Sequence, residues 1–443
     1  MKHFNKEERS WIMYDWANSA FATIMLAAVF PIFFVNISGG EGSLGSVWWG
    51  RGLAISALIL AIGAPIIGAF IEYVGVRKRL FISFLALGIL SLFFLATQDS
   101  WQLLLIGYIF SSLFWSAGNI IYDSYLLDVT TKERMDKVSA WGYAMGYIGG
   151  STIPFVISII LIMFGSKFPI PIYNTLAVQL SILLTAVWWW VFSIPILLNV
   201  HHKYGKSKPE KNIIHKTFQN ILSTAVKISK NKGLLIFIIA FFFYIDGVGT
   251  VIRMATAYGA ELGLGVGGMI GALLVTQLVA MPFSIFFGKL ADKYNSINIL
   301  ISAIIVYIFI CITGFIMGFG LEIVCSHEQI VDCSCCTEHR WFGHDVALVL
   351  FWTLAFLVGT VQGGIQATSR AVFGRMIPPN NSGEYFGFFE IFSRFAAILG
   401  PFLYATILSL TGRASFSILS IILVFILGMS VLLYGKKYIK FEV

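Results

Sequence analysis

Twelve stretches of this chain are apolar for long enough to cross the ~30 Å hydrocarbon core of a bilayer. They run about Trp11–Val35, Val47–Tyr73, Arg79–Thr97, Trp101–Val129, Val138–Phe164, Asn174–Val200, Leu234–Tyr258, Gly265–Lys289, Ile297–Gly320, His344–Met376, Tyr385–Leu410 and Ala414–Tyr434. In lipid, backbone amides must bond within a helix or around a closed barrel. These stretches lack the alternation of barrel strands and are roughly twice as long as one. The sequence therefore predicts an all-α membrane protein with twelve transmembrane helices.

Composition excludes the alternatives. Only 12% of the residues are charged and 58% are hydrophobic, whereas soluble domains carry about 25% charged residues. Too few charges remain for a polar exterior, which rules out a soluble enzyme or a nucleic-acid binder despite a net charge of +8. Disorder is excluded by an aromatic content of 16%. The basic excess is read against a membrane surface instead.

Lys and Arg distribute unevenly between the short loops. Twenty-three fall on one side, including Lys2, Lys6, Arg9, Arg77, Lys132, Arg375 and eight lysines between Lys203 and Lys232. The other side has only Arg51, Lys167, Arg340 and Arg413. By the positive-inside rule both termini face the cytoplasm, the expectation being a bacterial cytoplasmic membrane. The first span lacks a small-residue cleavage site and carries Asp15 and Asn18, so it is expected to persist in the mature protein.

The chain repeats itself. Gly68-Ala-Phe-Ile-Glu72 ends the second span and Gly288-Lys-Leu-Ala-Asp292 the eighth, 220 residues later; Pro154-Phe155 and Pro401-Phe402 are 247 apart. The loop Leu321–Gly343 accounts for the growth in offset. Residues 1–200 and 234–443 are thus expected to form two pseudo-symmetric six-helix bundles, with an outer Cys-rich loop at 321–343. The connecting segment 201–233 is basic, and Ile214, Phe218, Ile221, Leu222, Ala225 and Ile228 recur at helical spacing. This suits an amphipathic helix on an anionic leaflet; a soluble linker helix is the alternative. Parallel repeats place a substrate site near the midplane, between the halves.

Gly68-x-x-x-Glu72-x-x-Gly75-x-Arg77-Lys78-Arg79 resembles the loop signature of the major facilitator superfamily, with Glu72 where Asp is usual. Within it, the chain is similar to the vacuole-effluxer-like branch, which includes the autophagy-related vacuolar amino-acid effluxer. The segments that carry the likeness are Tyr14-Asp-Trp-Ala-Asn-Ser-Ala-Phe21, Phe242-Phe-Tyr-Ile-Asp-Gly247, Gln277-Leu-Val-Ala280, Gly288-Lys-Leu-Ala-Asp292, Gln366-Ala-Thr-Ser-Arg370, and Tyr385-Phe-Gly-Phe-Phe-Glu390 running on to Arg394. The resemblance implies solute export or antiport, amino acids being one substrate class. It also implies that Glu72, Arg77 and Asp292 hold the inward-closed state through helix ends and dipoles.

Each ionisable residue inside the membrane costs ~2.5–3.5 kcal/mol on insertion scales and is a functional candidate by default. Asp246 is expected to couple transport to a proton or another cation, or else to be a structural acid bonded to Arg394 or to nearby backbone. Arg394 suits a substrate carboxylate, which its planar fork binds bidentately; pairing with Glu390, four residues earlier on the same face, is the alternative. The offset of 247 carries Asp123 onto Arg370. An inner-gate salt bridge between them is expected, against separate anchoring of each charge at the interface. Asp15, with Tyr14 and Asn18, either lines the inner mouth or caps the helix start. Gln277, Gln362 and Gln366 suit a polar substrate, or simply bond between helices.

Cys325, Cys333, Cys335 and Cys336 lie in the outer loop with His327, His339 and His344 nearby. Disulfides are one reading and a soft-metal site the other. No Gly-x-x-x-x-Gly-Lys phosphate loop is present, so ATP does not drive the protein and no cofactor is called for. The expected partners are a small-molecule substrate, an ion such as a proton and the lipid bilayer, with the chain a monomer and no enzyme. The function expected is secondary transport of a small polar solute by alternating access. A solute sensor on a transporter fold and a metal or metal-chelate transporter are the alternatives.

Overall fold

A computed structural model describes residues 3–38, 44–165, 171–206, 213–264, 266–321 and 343–439. Among the described residues twelve helical spans are long and apolar enough to cross a membrane. In chain order the helices are α1 (Lys6–Phe21), α2 (Val29–Ser38), α3 (Leu44–Phe70), α4 (Val76–Leu95), α5 (Trp101–Ser124), α6 (Leu126–Val129), α7 (Met135–Met145), α8 (Ile153–Gly165), α9 (Pro171–Asn199), α10 (Ile213–Lys230), α11 (Lys232–Glu261), α12 (Val266–Lys293), α13 (Ser296–Leu321), α14 (His344–Met376), α15 (Ser382–Thr411) and α16 (Ala414–Gly435). They form the two six-helix bundles of the major facilitator fold. With twelve spans, both termini lie on one side.

The first and fifth spans are not uniform α-helices. π-helical turns at Ala22–Ala27 and Gly146–Thr152 separate α1 from α2 and α7 from α8. The second turn packs on α1, where Gly149 and Gly150 lie directly against Trp16, Ser19 and Ala20. A side chain at either glycine would collide with that helix. Such turns widen a helix locally and recur at functional sites.

Local chemistry sets the ends. Asn5 caps α1 by accepting from the Glu8 amide at 2.7 Å, and the Glu8 carboxylate in turn accepts from the Asn5 amide at 2.9 Å. Glu8 also accepts from Arg134 at 2.8 Å, tying the start of the first span to that of the fifth. Gly75 begins α4 with φ +75°, a left-handed conformation that favours glycine. Each bundle packs on aromatics: Trp11, Tyr14 and Tyr122 in the first, Phe241, Phe373 and Phe389 in the second. Large apolar side chains such as Ile62, Leu198 and Leu423 face outward, as a lipid-facing surface requires.

Closure between the bundles is on the termini side. There α3 crosses α15 so closely that a Cβ at Gly387 would lie 2.6 Å from the Ala64 carbonyl oxygen. Likewise α7 meets α12, where a Cβ at Gly288 would lie 2.6 Å from that of Ala140. The connecting helix α10 lies against these ends. Thr217, Thr224 and Ile228 are buried against the bundles, while Phe218, Leu222 and Val226 are exposed. The outward-facing apolar residues fit a helix seated in an interface.

Candidate functional site

The polar residues where the halves meet fall into three layers. The outermost, on the termini side, ties the start of α15 to the end of α3. Glu72 accepts from the Gly383 amide at 2.5 Å and the Glu384 amide at 3.2 Å. A carboxylate there satisfies orphan donors and meets the positive end of the helix dipole. Arg77, fully buried, donates to Asp128 at 2.6 Å, to Ser382 at 3.1 Å and to the Ile71 carbonyl at 3.1 Å. Burial pushes the Glu72 carboxyl up to about 7, outweighing the opposing pull of Arg77 and Lys206. The connecting segment joins in. The Lys206 amide donates to the Glu72 carbonyl at 2.8 Å, and its ammonium to Glu384 at 2.9 Å. Thr224 of α10 also donates to Glu384.

A second tie in this layer links α7 to the other bundle. Asp136 accepts from Arg375 and from Ser296, and Arg375 donates to Ser296 at 2.7 Å. Sequence reading assigned the closing acid on this side to Asp292. That residue is exposed, with no ion pair within 4.0 Å among the described residues. It lies within the field of Lys137, Arg375 and Arg134, while Asp136, in the first turn of α7, makes the direct pair with Arg375. Asp128, Asp136, Glu384 and Lys206 went unread, although one signal was present: Asp128 and Arg375 are 247 residues apart, like Asp123 and Arg370.

The middle layer centres on Arg370 of α14, which is all but buried within the first bundle. It donates to Asp123 at 3.0 Å, Asp15 at 3.2 Å, the Ser139 hydroxyl at 3.0 Å and the Ser139 carbonyl at 3.2 Å. Its guanidinium carbon lies 4.6 Å from the centroids of Trp11 and Tyr143 and 5.4 Å from that of Tyr122. Tyr122 also donates to Asp15 at 2.7 Å. The structure thus pairs Asp123 with Arg370 and adds Asp15 as a second carboxylate. Asp15 does not cap its helix; Asn5 does. Backbone approach is close here, since a side chain at Gly142 would run into Asp15 and Arg370.

The innermost layer lies at mid-span. Arg394 donates to Glu390 at 2.6 Å, so the internal pair forms, and it also reaches Ser116 of the first bundle at 2.9 Å. Asn18 donates to Asn119 at 2.8 Å, and its carbonyl accepts from Trp115 at 3.2 Å. Gln362 is buried and Gln366 donates to its carbonyl at 3.1 Å. The Gln277 side-chain oxygen has no hydrogen-bond partner among the described residues. Asp246 is fully buried in the second bundle beside Gly400, where a Cβ would lie 3.0 Å from its carboxylate. Its carboxylate faces the Gly400 backbone amide and lies within the field of Arg253, and neither oxygen has a side-chain hydrogen-bond partner among the described residues. Of the alternative, a structural acid bonded to Arg394 or to nearby backbone, no ion pair with Arg394 forms among the described residues, whereas the Gly400 backbone is at hand.

Tyr14 does not join these layers. It is fully buried on the opposite face of α1 against Phe81 and Tyr122, accepting from Trp189 at 3.4 Å. Adjacency to Asp15 in sequence put it near the path, but neighbours on a helix point about 100° apart. Cys325, Cys333, Cys335, Cys336, His327 and His339 lie outside the described residues. Among the described residues no group of three or more His, Cys, Asp or Glu side chains is placed to hold a metal ion.

Comparison with known proteins agrees with this architecture. Residues 52–436 match the family described as vacuole effluxer Atg22 like. Over 439 residues, covering 98% of this chain and 96% of the relative, the sequence is 40% identical to YxiO of Bacillus subtilis, an uncharacterized MFS-type transporter. It is 23% identical to autophagy-related protein 22-2 of Aspergillus clavatus over 60% of this chain, which spans only 42% of that longer protein. Among solved structures, FucP in its outward conformation overlays with a TM-score of 0.69 at 13% identity, covering 97% of this chain and 98% of that one. A bacterial homologue of the iron transporter ferroportin in an outward-facing state gives 0.66 at 12% identity, covering 97% and 99%.

Proposed function

The chain belongs to the vacuole effluxer Atg22-like family, and from that premise we propose that it is a secondary transporter exporting a small polar solute, an amino acid or a related metabolite, by alternating access. The observation that carries this reading is the Arg370 knot. An arginine from one bundle is locked by two carboxylates of the other, at a depth where each unpaired charge is costly. Such a knot serves a boundary that opens and recloses. A permanent interface would be at least as stable with apolar residues of the same volume.

In this proposal the termini lie in the cytoplasm, as the basic loops require. The three layers then close the cytoplasmic side, and the conformation is outward-facing. Residues 1–200 and 234–443 rock against one another while the basic segment 201–233 follows the inner leaflet. Arg394 and Glu390, with Ser116, Asn18 and the glutamines 277, 362 and 366, supply the polar contacts at mid-depth. A substrate carboxylate competes with Glu390 for the Arg394 guanidinium. Asp246, buried beside the Gly400 backbone and within the field of Arg253, is the site at which a proton couples to movement.

Counterflow in proteoliposomes tests both parts. Exchange of labelled solute against unlabelled is expected, with accumulation when a pH gradient is imposed. Asp246→Asn should retain exchange and lose gradient-driven accumulation. Saturable binding with no exchange would convert the protein into a sensor, and an Asp246→Asn variant accumulating like wild type would remove the coupling assignment.

A further inference from the structure

The surroundings of Arg370 have a composition that a gate alone does not need. The first bundle supplies three ring faces, from Trp11, Tyr122 and Tyr143, and two carboxylates, Asp15 and Asp123. All five belong to α1, α5 and α7, and the only cation among them arrives from α14 of the other bundle. When the bundles part on this side, Arg370 leaves with its own. What stays behind is an aromatic box with two acids at its wall and no positive charge of its own.

Such a box is selective. Carboxylates alone would be satisfied by protons. The Ser139 hydroxyl and carbonyl add two neutral oxygens to the wall, but three ring faces set around the site take up the perimeter that a metal ion's ligand shell would need. Ring faces attract broad, weakly hydrated cations, guanidinium above all, and the acids add charge-assisted hydrogen bonds. Resting on the transport reading above, we propose that the vacated cage is a receptor for the substrate itself, a solute bearing a guanidinium or alkylammonium group, and that Arg370 is its tethered stand-in. Solute and Arg370 then exclude one another. The cytoplasmic side closes only once the cargo has moved off the cage toward mid-depth, which couples closure to delivery.

Purified Arg370→Ala offers the empty cage to a free ligand. Methylguanidinium should raise its melting temperature saturably, as binding to the native state must, where equal sodium chloride does not. Adding Asp123→Asn should weaken that binding about tenfold, the loss of one charge-assisted bond. A folded Arg370→Ala protein indifferent to methylguanidinium would overturn the proposal. Because stranding two acids threatens folding, wild-type counterflow is the second measurement, with arginine and agmatine compared against leucine. Exchange of the two cations over leucine supports the cage. Exchange of leucine alone overturns it and leaves transport standing, whereas no exchange of any solute removes the transport reading and the cage with it.

Discussion

Glu72 makes the closed state sensitive to pH. Its folded carboxyl is raised from 4.5 to about 7 by burial, so closure holds the proton more tightly than an open, hydrated state does. The stabilisation is complete below about 4.5 and lost as pH rises through about 7. Glu72→Gln should flatten that dependence, measured as closed fraction or melting temperature between those values. His202 runs the other way. Burial, with Arg77 adding to it, lowers its ring to about 3, so it is neutral at physiological pH and opposes folding only as acid forces a charge onto it. At the Arg370 knot, removing the arginine strands the buried Asp15 and the half-buried Asp123, whereas removing Asp123 strands neither Arg370 nor Asp15. Arg370→Ala should therefore destabilise by about 3–5 kcal/mol, and Asp123→Asn by much less, as denaturation will show. The Asp123–Arg370 pair was legible in sequence because an internal repeat carries distance information that composition does not. Tyr14 was placed on the wrong face because a motif names neighbours along the chain without giving the face each one takes.

Helices were legible almost throughout, since an apolar stretch in lipid has no other way to satisfy its backbone. Their breaks were not. The π turn at Ala22–Ala27 contains neither glycine nor proline, so no local breaker in the sequence announces it. The connecting helix α10 was recognisable by its amphipathic spacing, but not its bond from Thr224 to Glu384, a tertiary contact between elements 160 residues apart. The crossing of α3 and α15 depends on missing side chains. Gly387→Val would push a branched side chain onto the Ala64 carbonyl, already 2.6 Å from a bare Cβ. The expected result is a protein of near-normal expression that stays open on the termini side, detectable as increased labelling of a cysteine placed at Ser382.

At the scale of the whole molecule, the repeat of 247 residues accounts for more than the fold. It places opposite charges at matching positions, Asp123 with Arg370 and Asp128 with Arg375. The partners then diverge: Arg370 reaches Asp123, whereas Asp128 holds Arg77 and Arg375 holds Asp136. The central claim is that these charges sit on a boundary which opens at one end as it closes at the other. Spin-label distances test it most directly, with one pair at Arg79 and Asn380 on the termini side and one at Val47 and Ser409 on the far side. Two populations should appear at each pair, short at one end whenever long at the other, and Arg370→Ala should lengthen the termini-side distance while shortening the far one. A single unchanging distance at both pairs, in protein that still exchanges solute, would contradict the account.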